Sequence, residues 1–146
     1  MRSAGLLPYR RRSGVEVLVA HPGGPWFKNK DAGSWSLVKG LVDGEETDES
    51  AAAREFTEET GWRLPDQPWV PLGETTLKSR KVVVAWAIEA DFDLDTFDPG
   101  TFQLYGREYP EIDRVGWVTP DEARAKLNPA QVVFIDRLEL HLGLNG

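Results

Sequence analysis

The sequence contains no cysteine, which excludes disulfide bonds, thiolate zinc sites and a cysteine nucleophile. Positive charge is also scarce: 17 lysines and arginines face 24 aspartates and glutamates, for a formal net charge of −7. This balance argues against binding to duplex nucleic acid, which needs a basic surface. No stretch approaches the roughly 18 apolar residues of a membrane helix. Met1–Pro8 lacks an apolar run of signal-peptide length. We therefore expect a soluble, cytoplasmic protein with no membrane partner.

The chain does contain enough apolar material for one hydrophobic core. Its 146 residues are 40% hydrophobic, which fits a single domain over residues 1–146. Six tryptophans, six phenylalanines and three tyrosines supply large apolar surfaces. This aromatic content also leaves room for a homodimer interface.

Hydrophobic patterning and turn residues predict a mixture of strands and helices. Two segments, Ser3–Tyr9 and Val15–Ala20, read as a hairpin turning at Arg10–Gly14. Further strands are expected at Trp35–Val38 (before a turn at Lys39–Gly40), Trp69–Leu77, Val82–Ala90 and Arg114–Val118, with loops at His21–Pro25 and Asp91–Pro99. Helices are expected at Thr47–Thr60, from Thr119, and at Pro129–Leu142. This mixed order predicts an α/β or α+β layered domain with helices on both faces of a sheet.

Three glutamates share one face of the first predicted helix. Glu55, Glu58 and Glu59 stand at positions i, i+3 and i+4, so their carboxylates repel one another by roughly 0.2–0.5 kcal/mol per pair. Arg54 relieves only part of that repulsion. Oxygen ligands without histidine or cysteine suit Mg²⁺ or Mn²⁺ rather than zinc. Taken alone, the same pattern also fits a solvated acidic helix face.

The residues around these glutamates have a characteristic spacing. Gly40 is followed after five residues by Glu46, after seven more by Arg54-Glu55-Phe56, and then by Glu58-Glu59 and Gly61-Trp62. All nine of these positions match the signature of the Nudix hydrolase superfamily, which the segment therefore resembles. The segments His21–Pro25 and Ser34–Gly40 also resemble a bacterial subgroup of small stand-alone members. The chain departs from that subgroup at Val38 and at Leu41–Asp43.

The resemblance implies a fold, a cofactor and a reaction. The fold would be an α/β/α sandwich with a mixed sheet. Glu55, Glu58 and Glu59 would bind Mg²⁺ or Mn²⁺ together with the Gly40 carbonyl. Glu46 would lie near the metal, and Arg54 would orient a motif glutamate. Family members hydrolyse a pyrophosphate bond in a nucleoside diphosphate linked to another group. The expected partner is therefore a small nucleotide such as a dinucleoside polyphosphate, a nucleoside triphosphate or an ADP-ribose-like compound.

Relatives also imply a general base outside the motif, in a loop before a strand that carries tryptophan. Here that loop is Arg107–Asp113, and Glu111 is our first candidate, ahead of Asp113 and Glu108. Glu55 or Glu58 remain alternatives for this catalytic role.

Several residues outside the motif are candidates for substrate binding. Lys78, Arg80 and Lys81 form the main basic patch and suit phosphates, although a basic hairpin tip is the simpler reading. Lys39, beside Gly40, is a further candidate for phosphate binding. Trp26 and Phe27 could stack on a base, but a core position is slightly favoured for both. His21 is expected to be structural. The alternatives to an enzyme are a non-catalytic nucleotide sensor and a divalent-ion-binding structural module.

Overall fold

A mixed six-stranded sheet lies between two layers of helix in the computed structural model of the protein, which describes residues 1–143. A two-stranded hairpin is attached to it. The strands are β1 (Arg2–Arg11), β2 (Val15–Pro22), β3 (Val38–Leu41), β4 (Trp69–Thr76), β5 (Val82–Glu89), β6 (Thr101–Leu104), β7 (Arg107–Pro110) and β8 (Ile112–Val118). The helices are α1 (Asp48–Thr60), α2 (Pro120–Lys126) and α3 (Val132–Leu142), and short 3₁₀ turns cover Leu94–Thr96 and Pro129–Gln131.

Strand β1 organises the sheet because it pairs with three other strands. It runs parallel to β5 along Arg2–Tyr9. On its other side it pairs with β3 through Ser3–Leu6 and with β2 through Tyr9–Arg11, both antiparallel. Strands β2 and β3 therefore diverge beside the middle of β1. The sheet forks at this point.

Alternating side chains of the strands supply two separate hydrophobic layers. On β1, Ala4 and Leu6 pack in a cluster with Phe56 of α1, whereas Leu7 and Tyr9 pack in a second cluster with Phe134 of α3. This alternation is the period-two geometry of a strand that is buried on both faces. The α/β/α sandwich with a mixed sheet is confirmed.

Helix α1 begins and ends where its capping residues predict. The Thr47 hydroxyl accepts a hydrogen bond from the Ser50 amide at 3.1 Å. Gly61 adopts a left-handed conformation at φ 76°, and its amide donates to the Thr57 carbonyl. Fully buried Phe56 packs 5.3 Å from the Phe92 ring between centroids. This anchor fixes the rotation of α1, and with it the direction of the neighbouring glutamates.

Long-range pairing overrides the sequence expectation at several places. Lys39–Gly40 is not a turn: both residues lie in β3, opposite Gly5 and Ala4 of β1. Strand β1 extends to Arg11, and β2 extends through His21–Pro22, where a loop was expected.

The predicted loop Arg107–Asp113 is mostly strand as well. Arg107–Pro110 pairs with β6, and Ile112 begins β8, so Glu111 alone separates the two strands. Tyr105-Gly106, both at positive φ, makes the turn of the β6–β7 hairpin. In the described part of the chain, no helix combines the length and apolarity needed to span a membrane.

Candidate active site

A cleft of about 430 Å³ opens at the fork between β2 and β3. Its charged lining comes from β3, α1, the β7–β8 junction and the residues before β5. Glu55, Glu59 and Glu111 contribute carboxylates, and Lys39 and Lys81 contribute ammonium groups. The rest of the lining is Ser3, Ala20, Pro22, Ser36, Leu37, Gly40, Leu41, Asp43 and Ile112. The fold thus brings together motif residues and residues far from the motif.

Gly40 allows the Glu55 carboxylate to lie directly against β3. A Cβ atom added at Gly40 would stand 2.0 Å from Cδ and 2.1 Å from Oε2 of Glu55. Atoms at such distances overlap severely, so only glycine fits at this position while Glu55 keeps its place. The steric requirement explains the glycine without any appeal to unusual backbone angles.

Arg54 binds three glutamates at once. Its Nε and Nη2 donate to the two carboxylate oxygens of Glu46 at 2.7 and 2.9 Å. Its Nη1 donates to Glu55 and to Glu58, each at 3.0 Å. Hydrogen bonds from Arg54 hold the pKa of Glu46 down at about 2. Glu46 therefore binds Arg54 and does not line the cleft. The Glu58 side chain, bonded to the same guanidinium, is 57% exposed.

Glu59 and Glu111 carry carboxyl groups that bind protons unusually well. Burial, reinforced first by Glu111 and then by Glu55, raises the pKa of Glu59 to about 8. Burial also raises the pKa of Glu111, and Glu55 adds to that effect. Both shifts follow from placing several carboxylates in one partly buried space with too little positive charge. A cation in the cleft would offset the repulsion between these carboxylates.

Glu111 is held in place by its own backbone. Its amide donates to the Gly100 carbonyl at 2.8 Å, and its carbonyl accepts from the Gly23 amide at 2.9 Å. The two other candidates for a base are engaged elsewhere: Asp113 pairs with His21, and exposed Glu108 contacts Gln103. Of the three acids, Glu111 alone lines the cleft.

The predicted basic residues separate into two groups. Lys39 and Lys81 line the cleft, whereas Lys78 and Arg80 are exposed on the turn before β5 and do not. Burial lowers the pKa of Lys39, and Lys81 adds to the lowering. Lys39 forms no ion pair with any residue in the range 1–143. Its positive charge is therefore free to meet an anion in the cleft.

The aromatic candidates do not line the cleft. Trp26 is 61% exposed, so it is not the core residue that the sequence slightly favoured. Phe27 is partly buried, and the Lys30 ammonium lies 5.6 Å from its ring centroid.

Ser3 and Asp43 line the cleft but were not predicted from the sequence. Asp43 lies inside the motif spacing, and a polar residue in that segment was the available signal. Ser3 becomes a cleft residue only through the fork beside β1, which no local pattern indicates. Within residues 1–143, no three histidine, aspartate or glutamate side chains are gathered tightly enough to form a ready-made cation cage.

Comparisons with known proteins agree with this architecture. The NUDIX domain family model matches residues 1–138. An Ap4A hydrolase from C. elegans, solved as a binary complex, superposes with a TM-score of 0.69 at 22% identity, covering 97% of this chain and 98% of that one. The NUDIX domain of Shewanella oneidensis NrtR, complexed with ADP ribose, gives 0.66 at 15% identity, with 97% and 88% covered. The M. smegmatis Nudix hydrolase RenU gives 0.62 at 24% identity, with 99% and 86% covered. No curated protein matches the chain in sequence.

Proposed function

The chain belongs to the NUDIX domain family, and from that premise we propose that it is a pyrophosphohydrolase that depends on Mg²⁺ or Mn²⁺. Its substrate is a nucleoside diphosphate linked to another group. The observation that carries the proposal is the meeting of three glutamate carboxylates, Glu55, Glu59 and Glu111, with two lysines in one cleft. Acidic residues suit a metal, and lysines suit the phosphates that the metal accompanies.

The carboxylates of the cleft fit a hard divalent cation. Burial, and then the neighbouring carboxylates of Glu111 and Glu55, raise the pKa of Glu59 to about 8, and a bound cation would offset the repulsion among these carboxylates. The Glu55 carboxylate lies against Gly40, where the backbone carbonyl is a further oxygen donor. Glu55 and Glu59 would hold the cation, with Glu58 joining them on release from Arg54. When bound, it would neutralise phosphoryl charge and lower the pKa of a bound water.

Each remaining side chain has a role that follows from its position. Glu111, with its raised pKa and fixed backbone, would accept the proton of the attacking water. Lys39 and Lys81 would contact phosphate oxygens. Arg54 would hold the motif glutamates in fixed orientations through its hydrogen bonds to Glu46, Glu55 and Glu58.

Two of the structural neighbours support a nucleotide substrate. One is named as an Ap4A hydrolase, and another is complexed with ADP ribose. We propose that the substrate of this chain belongs to the same broad class, namely dinucleoside polyphosphates, nucleoside triphosphates or ADP-ribose-like compounds.

A nucleotide panel with products identified by mass tests the proposal. Carried out in ¹⁸O-labelled water with Mg²⁺ or Mn²⁺, it names the substrate and the phosphorus attacked. The matched variants are Glu55→Gln in the cleft and Glu49→Gln, which is exposed on the first turn of α1. We expect hydrolysis that only the first variant impairs. Binding of a nucleotide without turnover would instead indicate a sensor, and no interaction with any nucleotide would contradict both functions.

A further inference from the structure

His21 bridges two segments beside the cleft from a fully buried position. Its Nδ1 lies 2.7 Å from Oδ1 of Asp113, and its Nε2 lies 2.6 Å from the Lys30 carbonyl oxygen. Carbonyl and carboxylate oxygens both accept hydrogen bonds, so each ring nitrogen of His21 is the donor of its bond. The imidazole also packs edge-on against Trp35, with ring centroids 5.2 Å apart. The ring therefore has one orientation, and both of its nitrogens are in use.

The Asp113 side of this bridge leads to Glu111. Asp113 stands two residues after Glu111, at the start of β8, where β8 pairs with the end of β2. The register of that pairing shifts between His21 and Pro22, and the next residue, Gly23, donates to the Glu111 carbonyl. The His21–Asp113 bond adds a side-chain contact to these backbone bonds, two residues along the chain from Glu111.

The backbone of Gly23, after β2, packs closely against the backbone of Pro110, at the end of β7. A Cβ atom added at Gly23 would lie 1.9 Å from the Pro110 carbonyl oxygen, so the two backbones are in close contact. A shift at the start of β8 is therefore transmitted to Glu111, because close-packed segments move together.

The Lys30 side of the bridge holds the loop of residues 23–34. The far end of that loop is tied down independently: Trp35 Nε1 donates to Asp31 at 2.6 Å, and the Gly33 amide donates to Ala125 at 3.2 Å. His21 thus joins the loop to β8 through a single ring.

We propose that His21 is a positioning residue, which sets the place of the Glu111 carboxylate through Asp113 and secures loop 23–34 through Lys30. The inference rests on the proposed function of Glu111 as the base. His21 does not act as an acid, base or metal ligand itself, because it is fully buried, uses both nitrogens and does not line the cleft.

Two conservative variants separate the two halves of the bridge. The amide nitrogen of asparagine replaces Nδ1, so His21→Asn retains the bond to Asp113. The amide nitrogen of glutamine replaces Nε2, so His21→Gln retains the bond to the Lys30 carbonyl and loses the bond to Asp113. We expect His21→Asn to keep kcat within about threefold of the wild type. His21→Gln should lower kcat by about 10²-fold, the scale of an ångström-sized misplacement, with KM changed less than threefold.

A double-variant cycle distinguishes positioning from a general loss of structure. If His21 acts through Glu111, His21→Gln should change kcat less than about twofold in a Glu111→Gln background. His141→Ala, on an exposed position of α3, is the control. Should His21→Gln fail to fold, Asp113→Ala removes the same bond from a partly exposed side chain and should follow the same pattern.

Amide hydrogen exchange at Gly23 gives a readout that does not depend on catalysis. Exchange should accelerate in His21→Gln or Asp113→Ala and stay near the wild-type rate in His21→Asn. An equal loss of kcat in both backgrounds, or unchanged Gly23 exchange on losing the Asp113 bond, would overturn the inference. A wild-type protein that hydrolyses no nucleotide would refute the proposed function instead. The exchange rate at Gly23 would still test whether the His21–Asp113 bond holds this segment in place.

Discussion

Replacing Gly40 by alanine tests the closest contact in the cleft. The new Cβ would stand 2.0 Å from Cδ of Glu55, whereas ordinary contacts begin at 3.4 Å, so the carboxylate must retreat by about 1.4 Å (3.4 − 2.0). Because the clash meets the end of a flexible side chain, we expect the free energy of unfolding to change by less than about 1 kcal/mol. A displacement of this size at the proposed metal ligand Glu55 should lower kcat/KM by about 10²-fold, equivalent to about 2.7 kcal/mol of transition-state stabilisation.

The assay compares thermal unfolding with hydrolysis at saturating Mg²⁺ for wild type, Gly40→Ala and Gly116→Ala. Gly116 is the matched control, since a Cβ added there meets nothing within 4 Å. We expect Gly116→Ala to retain wild-type activity. A folded Gly40→Ala protein with kcat/KM within threefold of the wild type would refute the steric argument, as would equal losses in the two variants.

Three further outcomes follow from the same geometry. The raised pKa of Glu59 costs the metal-free fold stability as pH rises from about 4.5 to about 8, because the unfolded state loses its proton first. Glu59→Gln should abolish that fall, which we place at roughly 2 kcal/mol for a half-buried group, measured by denaturation with a chelator present. Lys39→Met removes a partly buried ammonium without an ion pair among the described residues, so we expect unchanged or higher stability and a roughly tenfold higher KM. Phe56→Ala, at the anchor of α1, should lower the free energy of unfolding by about 3–5 kcal/mol in urea titrations.

The controls for these three variants are chosen within the chain. Glu49→Gln should follow the wild-type pH profile, and Lys28→Met, on an exposed loop position, should leave KM unchanged. Parallel pH profiles for Glu59→Gln and the wild type would contradict the proposed crowding of carboxylates. An unaltered KM for Lys39→Met would remove Lys39 from the phosphate site, and a loss below about 1 kcal/mol for Phe56→Ala would refute its role as anchor.

Local signals in the sequence were sufficient for α1 and its charged face. The Thr47 cap, the Gly61 terminator and the i, i+3, i+4 glutamates are all short-range features, and the helix was predicted to within a residue. The sequence did not indicate which of the three glutamates would line the cleft. The anchoring of α1 against the sheet leaves Glu55 and Glu59 in the cleft and Glu58 outside it, bonded to Arg54.

Long-range pairing accounts for most of what the sequence did not reveal. Lys39 and Gly40 read as a turn until β1, far back in the chain, supplies a partner strand. Lys81 and Lys78 look equivalent in sequence, yet only Lys81 reaches the cleft, because it directly precedes β5 beside β1. The buried bridge made by His21 depends on Asp113, which is distant in sequence.

The carboxylates of the cleft are proposed to bind a divalent cation that is needed to hydrolyse a nucleotide pyrophosphate bond. The most direct test of this proposal is the rate of nucleotide hydrolysis as Mg²⁺ or Mn²⁺ is titrated into chelator-treated wild type and Glu55→Gln protein. We predict saturable activation of the wild type, no hydrolysis with excess chelator, and a loss of at least about 10²-fold in the variant. Hydrolysis that persists in chelator, or an equally active Glu55→Gln protein, would contradict the account.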